Sequence, residues 1–360
     1  MQPRTKITAG AAVVLAAGLL VYALSSRNRD STASKSDASS DVHARLPADD
    51  GAPRPVVSAE PLEPYEVFAD DAQPRDAGPN ALIVARWGSG RGELGRDRPQ
   101  EGNPEGPMSL VLAGRDLLVL DQVNGRLARY DAKGRLLSTS DAPNTAQDVA
   151  VGKDGTVAMV DRLVNKSVTL VDSSGRKIGE LPLSRVPESG LVTAVVIDGK
   201  DVYVEQEHGA LVPIGTTDGK PAADDAPTLS GRPSKDGTLL LTAGLSSGPQ
   251  GRAYLNAFDR KAQALRFART ILFPRPSHAI VLLDSDAKGI IYLGVAAGEP
   301  GDAHIACLDP GDGHVLGRVA LPLSHTPEEA FRDFTVGEDG TIAFAVRTED
   351  GVQYRTATCP

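Results

Sequence analysis

The side chains with the widest chemical reach in this chain are its imidazoles and thiols. Six histidines are present, and none stands in an H-x-H or H-E-x-x-H arrangement that would bring two imidazoles onto one metal. No Ser-His-Asp order, nucleophile elbow or phosphate loop occurs in a fitting context. Gly90-Arg91-Gly92-Glu93-Leu94-Gly95 spells G-x-G-x-x-G after a strand-like run. The residues that follow, Arg96-Asp97-Arg98-Pro99-Gln100-Glu101-Gly102-Asn103-Pro104, cannot open the helix that would hold a pyrophosphate, so this is not a dinucleotide site. Asp284-Ser285-Asp286-Ala287-Lys288-Gly289 resembles the start of a calcium loop, but Lys288 occupies a ligand position and Val295 replaces the bidentate glutamate. That segment reads as a hairpin turn.

The elements that must carry these residues begin after an N-terminal segment that belongs to no fold. Arg4 and Lys6 precede an uncharged apolar run, Ile7 to Leu24, which as a helix reaches about 27 Å against a hydrocarbon core of roughly 30 Å. The cations before it outweigh Arg27 and Arg29, offset by Asp30, so the N-terminus faces the cytoplasm and the bulk lies outside. Residues 1–24 are thus a transmembrane anchor in the inner membrane through 7–24, or a signal peptide cleaved near Ser25. Either reading places the remainder in the periplasm or another extracytoplasmic space. Residues 25–80, rich in Ser, Asp, Ala and Pro, read as a disordered tether. The net charge of -9 argues against a nucleic-acid partner, since such affinity comes from Lys and Arg displacing counterions.

From residue 81 to 360 the dominant feature is recurrence. A turn followed by an apolar run appears at Gly114-Arg115-Asp116, Asp154-Gly155-Thr156, Gly199-Lys200-Asp201, Asp236-Gly237-Thr238, Lys288-Gly289-Ile290 and Asp339-Gly340-Thr341. The spacings between successive copies (116 to 156, 201, 238, 290 and 341) are 40, 45, 37, 52 and 51 residues, near the length of one four-stranded propeller blade. Asp-Gly supplies the positive φ a tight hairpin needs. A second hairpin follows in most copies, as at Tyr130-Asp131 to Gly134 and Val171-Asp172 to Gly175. The expectation is an all-β, six-bladed β-propeller of four-stranded antiparallel blades. The last copy runs out of chain before its fourth strand, and Ala81 to Trp87 is left over before the first, so that run should close the ring.

This map places Glu207, His208, His278, His325, Glu328 and Glu329 in loops on one rim, where a ligand or partner would meet the channel mouth. It places Cys307 and Cys359 on the third strands of blades 5 and 6. In an oxidising compartment they form a disulfide if their Cα atoms lie within about 7 Å.

Trp87 to Gly95, Pro107, then Asp121-Gln122-Val123-Asn124-Gly125-Arg126 and Tyr130-Asp131-Ala132-Lys133-Gly134 resemble an NHL repeat over residues 87–137. Its motif residues here are Asp121, Asn124, Arg126, Tyr130 and Asp131. The second copy keeps Asp161 but has Ser167 where the arginine belongs. The resemblance implies a propeller of the NHL or a related YVTN/PQQ-like type, whose members bind proteins, polysaccharides or RNA, or are occasionally enzymes. Two functions remain open. One is a non-catalytic envelope scaffold for a protein or polysaccharide, with no cofactor and no metal. The other is a lactonase-type hydrolase or lyase with a metal ion at the central channel.

Overall fold

The computed structural model describes residues 65–69, 74–76, 81–298 and 301–359, within a unit spanning Ala59–Pro360. The apolar segment 7–24 and most of the tether lie outside the described residues. Among those described, no helix is long and apolar enough to cross a membrane.

Three strands come first: β1 (Tyr65–Phe68), β2 (Pro74–Asp76) and β3 (Ala81–Arg86). Blade 1 follows as β4 (Ser109–Ala113), β5 (Asp116–Asp121), β6 (Arg126–Tyr130) and β7 (Leu136–Asp141). Blade 2 is β8 (Asp148–Val151), β9 (Val157–Asp161), β10 (Ser167–Val171) and β11 (Lys177–Pro182). Blade 3 has β12 (Val192–Asp198), β13 (Asp201–Gln206) and β14 (Leu211–Thr216). Blade 4 has β15 (Arg232–Pro233), β16 (Leu239–Ser247), β17 (Arg252–Asp259) and β18 (Ala264–Leu272). Blade 5 has β19 (Ser277–Ser285), β20 (Ile291–Ala297), β21 (Asp302–Leu308) and β22 (Val315–Pro322). Blade 6 has β23 (Phe334–Val336), β24 (Thr341–Thr348) and β25 (Gly351–Thr358). The chain is a six-bladed β-propeller, and within each blade the strands that follow one another in the chain lie side by side in the sheet.

All six repeated turns join the first strand of a blade to its second, and each holds a glycine at positive φ, from +60° at Gly114 to +85° at Gly340. In the second turn Gly152 N–H reaches the Thr156 carbonyl at 2.8 Å while the Asp154 carboxylate accepts the Thr156 N–H at 2.9 Å. The last turn repeats this with Gly337, Thr341 and Asp339.

The ring closes as expected. β3 pairs antiparallel with β25, Arg86 opposite Gly351 and Ile83 opposite Tyr354, and so supplies the outer strand of blade 6. Three features depart from the uniform four-stranded plan. Blade 3 has only three strands, because residues 217–231 contain Pro221 and Pro227 and touch β14 through isolated bridges at Leu229 and Pro221. Arg185 takes the place of the missing ladder, donating to the Pro213, Asp224 and Ala226 carbonyls at 2.8, 3.0 and 2.8 Å. Blades 4 and 5 each gain a fifth, parallel strand, β1 on β18 and β2 on β22.

Both added strands, Tyr65–Phe68 and Pro74–Asp76, lie inside the segment read as a tether. The physical reason is that β18 and β22 end their sheets with open backbone donors and acceptors, which extended chain can satisfy. Val67 and the buried Ala69 also pack against the apolar core between blades 4 and 5.

Apolar clusters fill five junctions: blades 1 and 2, 2 and 3, 4 and 5, 5 and 6, and 6 and 1. Among the described residues no such cluster joins blades 3 and 4. There Leu240, Tyr254 and Phe258, which alternate with the buried Leu239, Leu241, Leu255 and Ala257 and so face the other way, all keep solvent exposure.

Candidate functional site

Strand direction divides the ring into two faces. The repeated turns, and those joining third to fourth strands, lie on one. The loops between blades, and those joining second to third strands, lie on the other, which is called the rim.

The channel between the first strands is occupied by paired charges. Asp148, fully buried at the start of β8, accepts from the Ser109 hydroxyl at 2.6 Å, the Val195 N–H at 2.9 Å and Arg332 at 2.6 Å. Four blades thus meet at one carboxylate: Ser109 comes from blade 1, Val195 from blade 3, and Arg332 from the loop entering blade 6. Arg232 of β15 forms a two-pronged ion pair with the buried Glu205 of β13, at 2.6 and 2.8 Å, and donates to the Leu283 carbonyl at 3.0 Å. Burial alone would raise the Glu205 pKa, but the adjacent Arg232 charge and its hydrogen bonds outweigh burial and hold the carboxyl well below its usual range. Lys235 neutralises Asp284, whose other oxygen accepts the Val336 N–H at 3.1 Å. None of this ring was legible from local sequence, since Asp148 and Arg332 are 184 residues apart.

The motif residues of blade 1 hold the chain that leads into it. The Asp121 carboxylate accepts the Gly95 N–H at 2.8 Å, the Asn124 amide at 2.9 Å and Arg126 Nε at 2.8 Å. Asn124 also reaches the Gly88 carbonyl at 3.0 Å, and Arg126 reaches that of Glu93 at 2.6 Å. Tyr130 is core, and Asp131 caps the turn after it through the Lys133 and Arg135 N–H groups, both at 2.9 Å. These five side chains act structurally.

The rim residues fall into separate groups. Glu328 is buried and accepts from Arg98 at 2.6 Å; Arg98 also pairs with Glu349 at 2.9 Å. Glu329 accepts from Asn103 at 2.5 Å, and its N–H donates to the Pro104 carbonyl at 2.9 Å. These two glutamates therefore clamp the long 87–107 loop over blade 6. Glu207 and His208 form the tight turn of blade 3, at φ of 50° and 57°. The Glu207 N–H donates to Leu191, the His208 N–H donates to the Thr193 hydroxyl, and the His208 ring sits 3.5 Å from Glu205. His278, at the start of β19, and His325 are both exposed, and no hydrogen bond among the described residues joins either to these groups. The six therefore share a face without forming one reactive constellation.

One rim feature escaped the sequence reading. In blade 2, Asp161 occupies the slot of Asp121 but bonds the loop itself, accepting the N–H groups of Leu163, Val164 and Asn165 at 3.2, 2.9 and 3.0 Å. Ser167, which replaces the arginine of the motif, turns instead to Glu180 at 2.7 Å. The loop tip then presents Leu163 and Val164 to solvent, 55% and 65% exposed. The available signal was two large apolar residues inside a turn whose partner arginine had gone.

On the opposite face a cavity of about 840 Å³ lies where blade 3 lacks its fourth strand, lined by Tyr203, Pro213, Lys200 and Leu229 among others. Asp309, Asp312 and His314 bring ligand atoms within 4.8 Å of one another on a turn of blade 5, with His314 Nδ1 already 2.7 Å from Asp312. Cys307, on β21, and Cys359, just past the end of β25, are joined by a disulfide across a Cα separation of 6.3 Å, tying the last strand to blade 5.

Fold and rim together define a six-bladed propeller with an ion-filled channel. No family model and no curated protein matches the chain. Among solved structures it is similar to a streptogramin B lyase, 13% identical over 74% of this chain and 97% of that one, with a TM-score of 0.42. It is similar also to the C-terminal WD40 domain of Sif2, 14% identical over 73% and 84%, at 0.40. BamB from Moraxella catarrhalis is 15% identical over 70% and 85%, at 0.39. The fold assignment rests on the strand pairing itself, and the NHL resemblance on residues 87–137 alone.

Proposed function

We propose that the protein is a membrane-tethered, extracytoplasmic scaffold that binds a protein partner in a bacterial envelope and catalyses no reaction. The observation that carries this reading is the state of the channel carboxylates. Asp148, Glu205 and Asp284 are each committed to a cation from a neighbouring blade or loop. A lactonase-type site would need such acids turned together toward a divalent ion, and here their charge holds blades to one another instead. The rim loops meanwhile are fixed by dense hydrogen bonding, which suits a preformed binding surface. The apolar segment 7–24 would hold this surface at the membrane.

The test is crosslinking of the full-length chain in the membranes that contain it, followed by purification under denaturing conditions. A stoichiometric, reproducible partner supports the scaffold. Purified protein that carries one calcium or zinc per chain and cleaves lactones overturns it in favour of the hydrolase. Mass spectrometry of the N-terminus tests the anchor separately: a mature chain starting near Ser26 removes the anchor and keeps the export.

A further inference from the structure

We infer that the apolar knob of blade 2, formed by Leu163 and Val164 with Leu191 beside it, docks a protein segment offering an apolar hollow edged by lysine or arginine. This rests on the scaffold reading and narrows it to one surface.

The knob is assembled from three loops. Arg162 donates to the Gly190 and Val192 carbonyls at 2.7 and 2.9 Å, which fastens the blade 2 loop to the chain entering blade 3. Its guanidinium also lies 5.0 Å from the Phe331 ring, which brings in the loop entering blade 6. The Glu207 N–H bonds the Leu191 carbonyl at 3.1 Å, so the blade 3 turn abuts the same patch. Leu191 itself is 37% exposed.

The knob is also stiff. The Asp161 carboxylate takes the amides of the tip, the Thr145 hydroxyl adds to that carboxylate, and Lys166 ends the turn at φ of 50° with its carbonyl held by the Leu183 N–H at 2.8 Å. A loop tip ordinarily carries small polar residues, and two branched apolar side chains held rigidly in water gain only by being covered. Because the tip is already ordered, covering it costs little conformational entropy.

Charge selects the occupant. The exposed side chains around the knob are Glu188, Glu207 and Glu329, with His208 adjoining, against Lys166 and the half-buried Arg162, which keeps its charge and interacts with Glu329, so the balance stays negative. A partner with basic groups around an apolar hollow complements this net negative rim. Branched aliphatic side chains offer neither a flat ring to stack on a sugar nor a hydrogen bond to its hydroxyls, which favours protein over polysaccharide.

The experiment places a photo-crosslinking amino acid at Leu163 or Val164 of the full-length chain in its own cells, and, separately, at Leu137 and Ile178, exposed apolar positions on the outer strands β7 and β11. The expected result is a crosslink from 163 and 164 to one protein segment in which Lys or Arg adjoins apolar residues. Adding Glu188→Lys and Glu207→Lys should cut its yield about tenfold, with the thermal melt unchanged. A crosslinked segment without basic residues, a crosslink only to a second copy of this chain, or equal yields from 137 and 178 overturns the proposal and leaves the scaffold standing. Crosslinks from none of the four positions also overturn the proposal, and the scaffold is then judged by the membrane crosslinking of the full-length chain.

Discussion

Blades 4 and 5 meet through Leu239, Leu241, Leu255, Ile291 and Leu293, all fully buried or nearly so, whereas blades 3 and 4 meet through ions. At the second junction Arg232 pairs with Glu205, and Arg260 with Asp198 at 2.7 Å. Apolar contact is non-directional and indifferent to salt and pH; an ion pair is neither. The difference teaches that the weakest seam of this ring is not where its ends join. The closing junction has an apolar cluster, a shared strand and, one blade away, a disulfide. The seam between blades 3 and 4 has none of these, and blade 3 is also the blade that lacks a strand.

The largest test removes the closing strand. Deleting 81–87 takes away β3 together with the start of the lead-in held by Asp121, and cooperative unfolding in urea should disappear; a deletion that unfolds like the parent would show that closure matters less than any seam. Next comes Glu205→Gln, which strands Arg232 beside an uncharged partner and should cost about 3–5 kcal/mol in denaturant titration. Leu241→Ala, at the apolar junction, should cost a similar 2–5 kcal/mol, but without any change in salt or acid sensitivity.

Acid separates the two junctions more sharply. Because the folded Glu205 pKa is depressed, its contribution is complete above the unfolded value of about 4.5 and is lost as the pH falls through that value toward the lower folded one. Stability measured from pH 6 to about 3 should therefore fall less steeply in Glu205→Gln than in the parent; identical slopes would remove Glu205 from the seam. Arg260→Ala breaks a partly exposed pair and should cost only about 0.2–1 kcal/mol, less in high salt. Smallest of all, Leu163→Ser with Val164→Ser should change stability by no more than about 0.5 kcal/mol, since neither side chain supports the fold.

The blades were legible because their signals are local: an Asp-Gly turn at positive φ and an apolar run lie within a few residues of each other, six times over. Closure was legible by counting strands. The added strands were not, since Tyr65-Glu66-Val67-Phe68 becomes a strand only because β18 leaves an edge open two hundred residues later. The channel ring was hidden for the same reason, its partners being distant in sequence. Among the rim residues, the sequence located the face but not the grouping: Glu328 and Glu329 serve the 87–107 loop, Glu207 and His208 serve the blade 3 turn, and the apolar tip at Leu163 looked like mere decay of the blade 1 pattern.

The order in which the N-terminal strands attach has a mechanical consequence. A pull arriving from the N-terminal side meets β1 on blade 4 first, then β2 on blade 5, and only afterwards β3, on which closure depends. Two short parallel strands would peel away before the ring felt the load, so the chain carries its own strain relief between whatever holds its N-terminus and the strand that keeps the ring shut.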